Sequence, residues 1–80
     1  MHELGVLCHA IKSVEQILEK SGIEKVKYIT LEVGKKSGYL PVFFEKLFPI
    51  AIENYAKMKG AVLRIVETDG EKLLIRDIGY

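Results

Sequence analysis

Hydrophobic side chains recur every three or four residues in the first quarter of the chain. Between Glu3 and about Ser21, apolar residues recur at Leu4, Leu7, Ile11, Val14 and Leu18. This spacing places them on one side of a helix, so the segment is predicted to be an amphipathic α-helix. Gly22 follows the helix, and glycine adopts the positive φ of a helix end at low cost. The first helix is therefore predicted to end near Ser21.

A period of two replaces the helical spacing in the next segment, from Lys25 to Val33. Two sets of residues alternate there: Ile29, Leu31 and Val33 on one face, and Tyr28, Thr30 and Glu32 on the other. Because successive side chains of a strand point to opposite faces, this alternation predicts a half-buried β-strand. The polar, glycine-containing segment from Gly34 to Tyr39 is predicted to turn the chain.

A second helix is predicted from Pro41 to about Lys57. Proline suits the first helical position because its missing N–H would have been unpaired there. The predicted buried stripe consists of Phe44, Leu47, Phe48, Ala51 and Tyr55. Pro49 lies inside this segment, where it removes one backbone hydrogen bond and clashes with the carbonyl of Glu45. A kink is therefore expected near Pro49.

The last part of the chain has the pattern of a β-hairpin. The apolar segments Ala61–Glu67 and Lys72–Ile78 flank Asp69-Gly70, a pair that strongly favours a two-residue turn. In the register set by such a turn, Glu67 lies opposite Lys72 and the two charges pair. Both faces of the two segments are largely apolar, so the pattern does not indicate which face is buried.

The predicted elements have the order α-β-α-β-β. A strand, a helix and a further strand favour a right-handed parallel crossover. The predicted fold class is therefore α/β (α+β), a two-layer sandwich in which a three-stranded mixed sheet carries two helices on one face. The chain has 80 residues, 49% of them hydrophobic and 29% charged, which is the composition of one globular domain over residues 1–80.

The charge and the cysteine content narrow the classes of partner and compartment. Twelve basic and eleven acidic residues give a net charge of +1, which provides no field for binding nucleic acid or anionic lipid. Charged residues interrupt every apolar run before the roughly 20 residues that a membrane-spanning helix needs. The single cysteine, Cys8, cannot form an intramolecular disulfide, so the cytoplasm is the predicted compartment.

The sequence contains no arrangement typical of an enzyme. There is no spaced Ser/His/Asp set and no glycine-rich loop that leads into a helix.

Cys8 and His9 are neighbours on the first helix, where adjacent side chains diverge by about 100° and do not easily share a metal ion. We expect Cys8 at the edge of the core and His9 in solvent. Leu4 and Leu7 are expected to anchor the helix.

The aromatic residues are expected to fill the core instead of forming a binding platform. The group consists of Phe43, Phe44, Phe48 and Tyr55. A domain of this size needs each of its large apolar side chains for stability.

The opening Met1-His2-Glu3 is the candidate metal site. A histidine at position two brings its imidazole within chelating reach of the terminal amine and of its own backbone amide. Three nitrogen atoms then occupy adjacent corners of a plane, and either the amide nitrogen or the carboxylate of Glu3 could supply the fourth. Planar nitrogen coordination is preferred by Ni(II) and Cu(II) over Zn(II).

Several segments of the chain together resemble the HypA family. These segments are Met1-His2-Glu3-Leu4, Ile29-Thr30-Leu31-Glu32-Val33-Gly34, Ser37-Gly38 with Pro41, Phe44 to Phe48, Gly60 to Ile65 and Leu74 to Ile78. HypA proteins deliver nickel for the assembly of nickel–iron hydrogenase and, in some bacteria, of urease. The resemblance implies that Met1, His2 and Glu3 bind Ni(II). It also implies that the chain serves maturation of a nickel enzyme and that it is not itself an enzyme.

One departure from the family pattern is large. HypA proteins carry a zinc domain with two Cys-x-x-Cys pairs between the strands that correspond here to the last two. This chain passes directly through Glu67-Thr68-Asp69-Gly70-Glu71 and has one cysteine, so no structural zinc is expected within one subunit. The partners implied are a nickel-maturation GTPase, a hydrogenase or urease precursor, and a weakly bound second copy. The alternative is a metal-free interaction module that keeps the same fold.

Overall fold

The computed structural model describes residues 3–80 and contains the predicted order of helices and strands. The elements are α1 (Glu3–Ser21), β1 (Tyr28–Gly34), α2 (Pro41–Ala51), a short 3-10 helix (Ala56–Met58), β2 (Val62–Thr68) and β3 (Leu73–Gly79). Gly22 has a φ of 68° at the end of α1, as the sequence predicts. The α+β fold class with a three-stranded mixed sheet is confirmed.

The sheet has the strand order β2-β1-β3, so the predicted hairpin is wrong. β2 pairs with β1 in parallel, and β3 pairs with the other edge of β1 in the antiparallel direction. Glu67 therefore lies opposite Val33 of β1 and not opposite Lys72. The reason is that β1 is the most deeply buried strand, and in the central position both of its backbone edges are hydrogen-bonded. Asp69-Gly70 belongs to a connection that crosses the end of β1.

This connection, residues 69–72, packs closely on Gly34 at the end of β1. The Gly34 N–H donates to the Lys72 carbonyl at 2.8 Å, and the Lys36 N–H donates to the Gly70 carbonyl at 3.0 Å. A Cβ at position 34 would overlap the backbone carbonyl of Gly70. Glycine is therefore required at this crossing because only its backbone lets the two segments approach so closely.

The core lies between the sheet and the two helices. Helix α1 contributes Leu7, Ile11, Val14 and Leu18, and strand β1 contributes Ile29, Leu31 and Val33. β2 and β3 add partly buried residues to the same side: Leu63, Ile65, Leu73, Ile75 and Ile78. This packing assigns the inner face of the last two strands, which the apolar pattern leaves open.

Two expected core residues lie at the surface. Leu4 is 42% exposed, so among the first two leucines only Leu7 anchors α1. Phe43 is 37% exposed, whereas Phe44 and Phe48 are buried as predicted. Both errors have the same cause. Only a narrow stripe of an α-helix faces the core of the protein, and hydrophobic residues beside that stripe remain in solvent.

Helix α2 is shorter than predicted. It ends at Ala51, two positions after Pro49, and Tyr55 lies outside it as the residue before the 3-10 helix. The ring of Pro49 leaves the Glu45 carbonyl without its helical donor, so the last turn is weakened and the helix stops. Tyr55 is half-buried against the core, although it lies outside the helix in which the predicted stripe placed it.

The outer face of the sheet is covered in part by Tyr28. Its ring lies over Gly79 of β3, where a Cβ would overlap the ring carbons. The Arg64 guanidinium of β2 sits 3.8 Å from the ring centroid, a cation–π contact. Tyr28 therefore links all three strands on the face opposite the helices.

Among the described residues, no helix is both long enough and apolar enough to cross a bilayer.

Candidate functional site

The predicted metal ligands lie at the first residues of the chain. Met1 and His2 fall outside the described residues, and Glu3 is the first residue of α1. Only 4% of Glu3 is exposed. Its Oε2 atom accepts a hydrogen bond from the Leu40 backbone N–H at 3.3 Å. Of the three predicted ligands, the structure therefore describes Glu3, which lies against the residue that precedes α2.

This contact puts the first turns of both helices at one end of the molecule. Leu40 is the N-terminal cap position of α2, so the start of α1 and the start of α2 are neighbours. The segment after β1 lies at the same end, because the Lys35 N–H donates to the Thr68 carbonyl at 2.8 Å. The end that carries Glu3 is thus built from α1, α2, the segment 35–40 and the connection 69–72.

The charged groups at this end are mostly in solvent. Lys35 Nζ lies 3.6 Å from the Asp69 carboxylate, and both side chains are largely exposed. An exposed pair of this kind contributes little to stability because water and salt screen it. The end is therefore neither strongly acidic nor strongly basic, in agreement with the near-zero net charge of the chain.

Cys8 and His9 do not add to the site. Both side chains are exposed on α1, so the prediction for His9 is confirmed and the prediction that Cys8 lies at the edge of the core is wrong. Position 8 lies beside the stripe formed by Leu7 and Ile11 but outside the contact with the sheet. Within residues 3–80, no group of three or more His, Cys, Asp or Glu side chains is arranged to hold a metal ion.

Sequence reasoning did not find the contact of Glu3 with Leu40. The donor is a backbone N–H, which has no side-chain signature, and the two residues are 37 positions apart. The sequence holds one weak signal of this contact: Leu40 precedes Pro41, and its side chain cannot cap the helix. A helix start without its own cap needs an acceptor from elsewhere.

A groove lies at the far end of α2. It has a volume of about 530 Å³ and is lined by Pro49, Ile52, Glu53, Asn54, Tyr55, Ala56, Lys59 and Gly60. Its titratable side chains, Glu53, Tyr55 and Lys59, do not form a set typical of catalysis or of metal binding. We therefore place the candidate site at the end that holds Glu3.

Comparison with known proteins gives a family match over most of the chain. Residues 1–73 match the family model described as HypA, hydrogenase/urease nickel incorporation, metallochaperone. The hydrogenase maturation factor HypA of Crocosphaera subtropica (strain ATCC 51142 / BH68) is 35% identical over 71 residues. That alignment covers 89% of this chain and 59% of the relative. The chain therefore spans less than two thirds of the length of that relative.

The fold is also similar to a solved structure. The solution structure of the Ni metallochaperone HypA from Helicobacter pylori superposes with a TM-score of 0.78 at 23% identity. The similarity covers 96% of this chain and 72% of the solved one. At this level of identity the likeness establishes the fold alone.

Proposed function

Because the chain belongs to the HypA family of nickel-incorporation metallochaperones, we propose that it captures Ni(II) as cargo through Met1, His2 and Glu3. The cargo would serve maturation of a nickel enzyme such as nickel–iron hydrogenase. The observation that carries the proposal is the family match, which begins at residue 1 and includes all three residues. The family description names a metallochaperone, in agreement with the expectation that the chain is not an enzyme.

The chemistry of the three residues supports Ni(II) as the cargo. The terminal amine, the His2 amide and the His2 imidazole form two fused chelate rings that favour one plane. Such a set suits Ni(II), a d⁸ ion that favours planar coordination, better than it suits Zn(II), which favours tetrahedral coordination. The neighbouring Glu3 is held in place at the start of α1, so the donors are attached to a fixed point of the fold.

We propose that residues 1–80 form one nickel-binding unit without a zinc module. The connection between β2 and β3 is limited to residues 69–72, and the sequence contains a single cysteine. A structural zinc site requires four ligands in a tetrahedral arrangement. Structural zinc is therefore not part of the proposed mechanism.

Delivery of the metal requires an acceptor. The partners proposed are a nickel-maturation GTPase or the precursor of a hydrogenase or urease, in the cytoplasm. Transfer is tested by incubating the nickel-loaded chain with the purified GTPase, separating the two proteins and measuring nickel in each. Nickel in the GTPase fraction supports delivery. Nickel that stays with the chain supports storage.

Capture is tested by Ni(II) titration followed by visible absorption. The sample is a protein whose mass confirms a free Met1 amine. We expect one equivalent to produce the band of a planar diamagnetic complex, and His2→Ala or acetylation of the amine to abolish it. His9→Ala is the matched control, since His9 is exposed on α1, and should leave the band unchanged. Absence of a band in the unmodified protein favours the metal-free interaction module.

A further inference from the structure

Strand β2 forms one edge of the sheet, and half of its backbone groups point away from β1. The Val62 N–H donates to the Lys27 carbonyl at 3.0 Å, so the backbone groups of Val62 face β1. Along an extended strand, this direction alternates from one residue to the next. The N–H and C=O groups of Leu63, Ile65 and Glu67 therefore point outward. Within residues 3–80, no strand pairs with this side of β2.

The other edge of the sheet, strand β3, is protected against pairing. Its register against β1 shifts between Thr30 and Leu31, so that Arg76 bulges out of the ladder. Arg76 and Asp77 are both exposed and place charges at this edge. Bulges and charged side chains hinder the addition of a further strand. β2, in contrast, pairs with β1 over all seven residues without a shift. β2 is therefore the edge that is open to a further strand.

The positive charge of β2 is directed away from its free edge. The Arg64 guanidinium lies 3.8 Å from the centroid of the Tyr28 ring, which belongs to β1. Charged side chains at an edge normally keep other strands away, but this one is held toward the middle of the sheet. The neighbours of Arg64 on the same face of β2 are apolar: Val62, which is 59% exposed, and Val66.

The sequence of β2 allows the strand to pair with a second copy of itself. Its midpoint is Ile65, and a twofold axis at that residue aligns all seven residues of two antiparallel copies. Ile65 then meets Ile65 of the second copy, and Leu63 meets Glu67, each as a hydrogen-bonded pair of outward amides. On the outer face, Arg64 lies opposite Val66. No like charges are directly opposed in this register, and such opposition would destabilise a sheet.

The charges around β2 favour the same arrangement. Lys27 and Lys59 lie at the start of the strand and Glu67 near its end, and all three are exposed. Antiparallel pairing brings the acidic end of one strand toward the basic start of the other. An axis at Arg64 would instead oppose two arginines, and an axis at Glu67 would oppose two glutamates.

We propose that two copies of the chain pair along their β2 edges and form one six-stranded sheet with a twofold axis at Ile65. The pairing adds about six backbone hydrogen bonds and places all four helices on one face. One strand edge buries less than the roughly 1,200 Å² of a standard interface, so we expect a Kd of about 10 μM to 1 mM. The connection 69–72 follows β2 at the end that holds Glu3, so the two Glu3 ends lie far apart in the dimer.

The test uses matched substitutions on the two edge strands of the metal-free chain. Val66 of β2 and Leu74 of β3 both lie beside Glu32 of β1, so a lysine has similar surroundings within one chain at either position. Val66→Lys places a positive charge opposite Arg64 of the second copy, and we expect the Kd from sedimentation equilibrium to rise at least about threefold. Val66→Glu should lower the Kd about threefold. The control Leu74→Lys should leave it unchanged.

Amide hydrogen exchange of the wild type tests the pairing without any substitution. At about 1 mM chain, the Leu63, Ile65 and Glu67 N–H groups should exchange at least about threefold more slowly than at about 50 μM. The Arg64 and Val66 N–H groups face β1 and should exchange equally at both concentrations.

Three results would overturn the inference. These are a chain that stays monomeric up to about 1 mM, a Kd that Val66→Lys leaves unchanged, and exchange along β2 that does not depend on concentration. Both measurements use the metal-free chain, so they do not depend on nickel binding. Failure of the nickel titration would overturn the proposed function and leave the pairing of β2 intact.

Discussion

At the scale of single residues, Gly34 lies where the connection 69–72 crosses β1. Gly34→Ala would place a methyl group against the Gly70 backbone, which cannot rotate away. We expect the free energy of unfolding to fall by about 2–3 kcal/mol, as in overpacked interiors. Urea denaturation followed by circular dichroism measures the change.

Gly5→Ala is the matched control for this substitution. Gly5 lies in α1 with no atom within 4 Å of the added Cβ, so the helix should gain about 0.5–1 kcal/mol. We therefore expect the free energy of unfolding to fall for Gly34→Ala and to rise for Gly5→Ala. Equal stability of Gly34→Ala and the wild type would show that the crossing of the connection over β1 is wrong.

The residue scale also shows what a sequence reveals about a site. Met1-His2-Glu3 is recognisable because its chemistry depends on neighbouring positions in the chain, with no fold required. The role of Glu3 as an acceptor for Leu40 is not recognisable, because it depends on a contact between distant segments. The exposure of Cys8 was not predicted for a related reason: the sequence does not show how wide the buried stripe of α1 is.

At the scale of elements, the two prolines of α2 should respond in opposite ways to the same substitution. Pro49→Ala gives the Glu45 carbonyl a donor and relieves a clash, so we expect about 1–3 kcal/mol of added stability. Pro41 occupies the first turn, where no bond is lost and its fixed φ restricts the unfolded chain. Pro41→Ala should therefore cost up to about 1 kcal/mol.

Thermal and urea unfolding of the two proline variants provide the measurement. Far-ultraviolet circular dichroism of Pro49→Ala should also show a gain in helical signal if α2 extends beyond Ala51. A loss of stability in Pro49→Ala would mean that the ring of Pro49 contributes more through packing than it costs in helix geometry.

Elements with a clear period were predictable, and strand pairing was not. α1 and β1 follow the periods of 3.6 and 2; α1 has the predicted bounds, and β1 begins three residues later and ends one residue later than predicted. Asp69-Gly70 favours a hairpin locally, but β1 is hydrogen-bonded on both edges and so separates β2 from β3. The Asp-Gly pair favours a turn over a few residues, but it does not indicate whether a third strand lies between the two strands that flank it.

At the scale of the whole molecule, nickel binding should respond to pH. Binding requires a neutral imidazole and an unprotonated terminal amine, groups whose ordinary pKa values are about 6.5 and about 8. Protons compete for both, so affinity is highest above these values and falls as the pH drops. We expect Kd to rise at least tenfold for each pH unit below about 6.

Competition with a chelator of known nickel affinity, from pH 8 to pH 5, measures this dependence. Circular dichroism at each pH serves as the control that the fold persists. An affinity that stays constant over this range would exclude the amine and the imidazole as ligands.

The most direct test of the account is a Ni(II) titration of the ¹⁵N-labelled chain monitored by two-dimensional NMR. We expect shifts confined to one end of the molecule, at Glu3–Gly5 and residues 35–40, that saturate at one equivalent. The peaks should stay sharp because a planar Ni(II) complex is diamagnetic. Shifts centred on Cys8 and His9, or unchanged spectra at one equivalent, would contradict capture at the chain start.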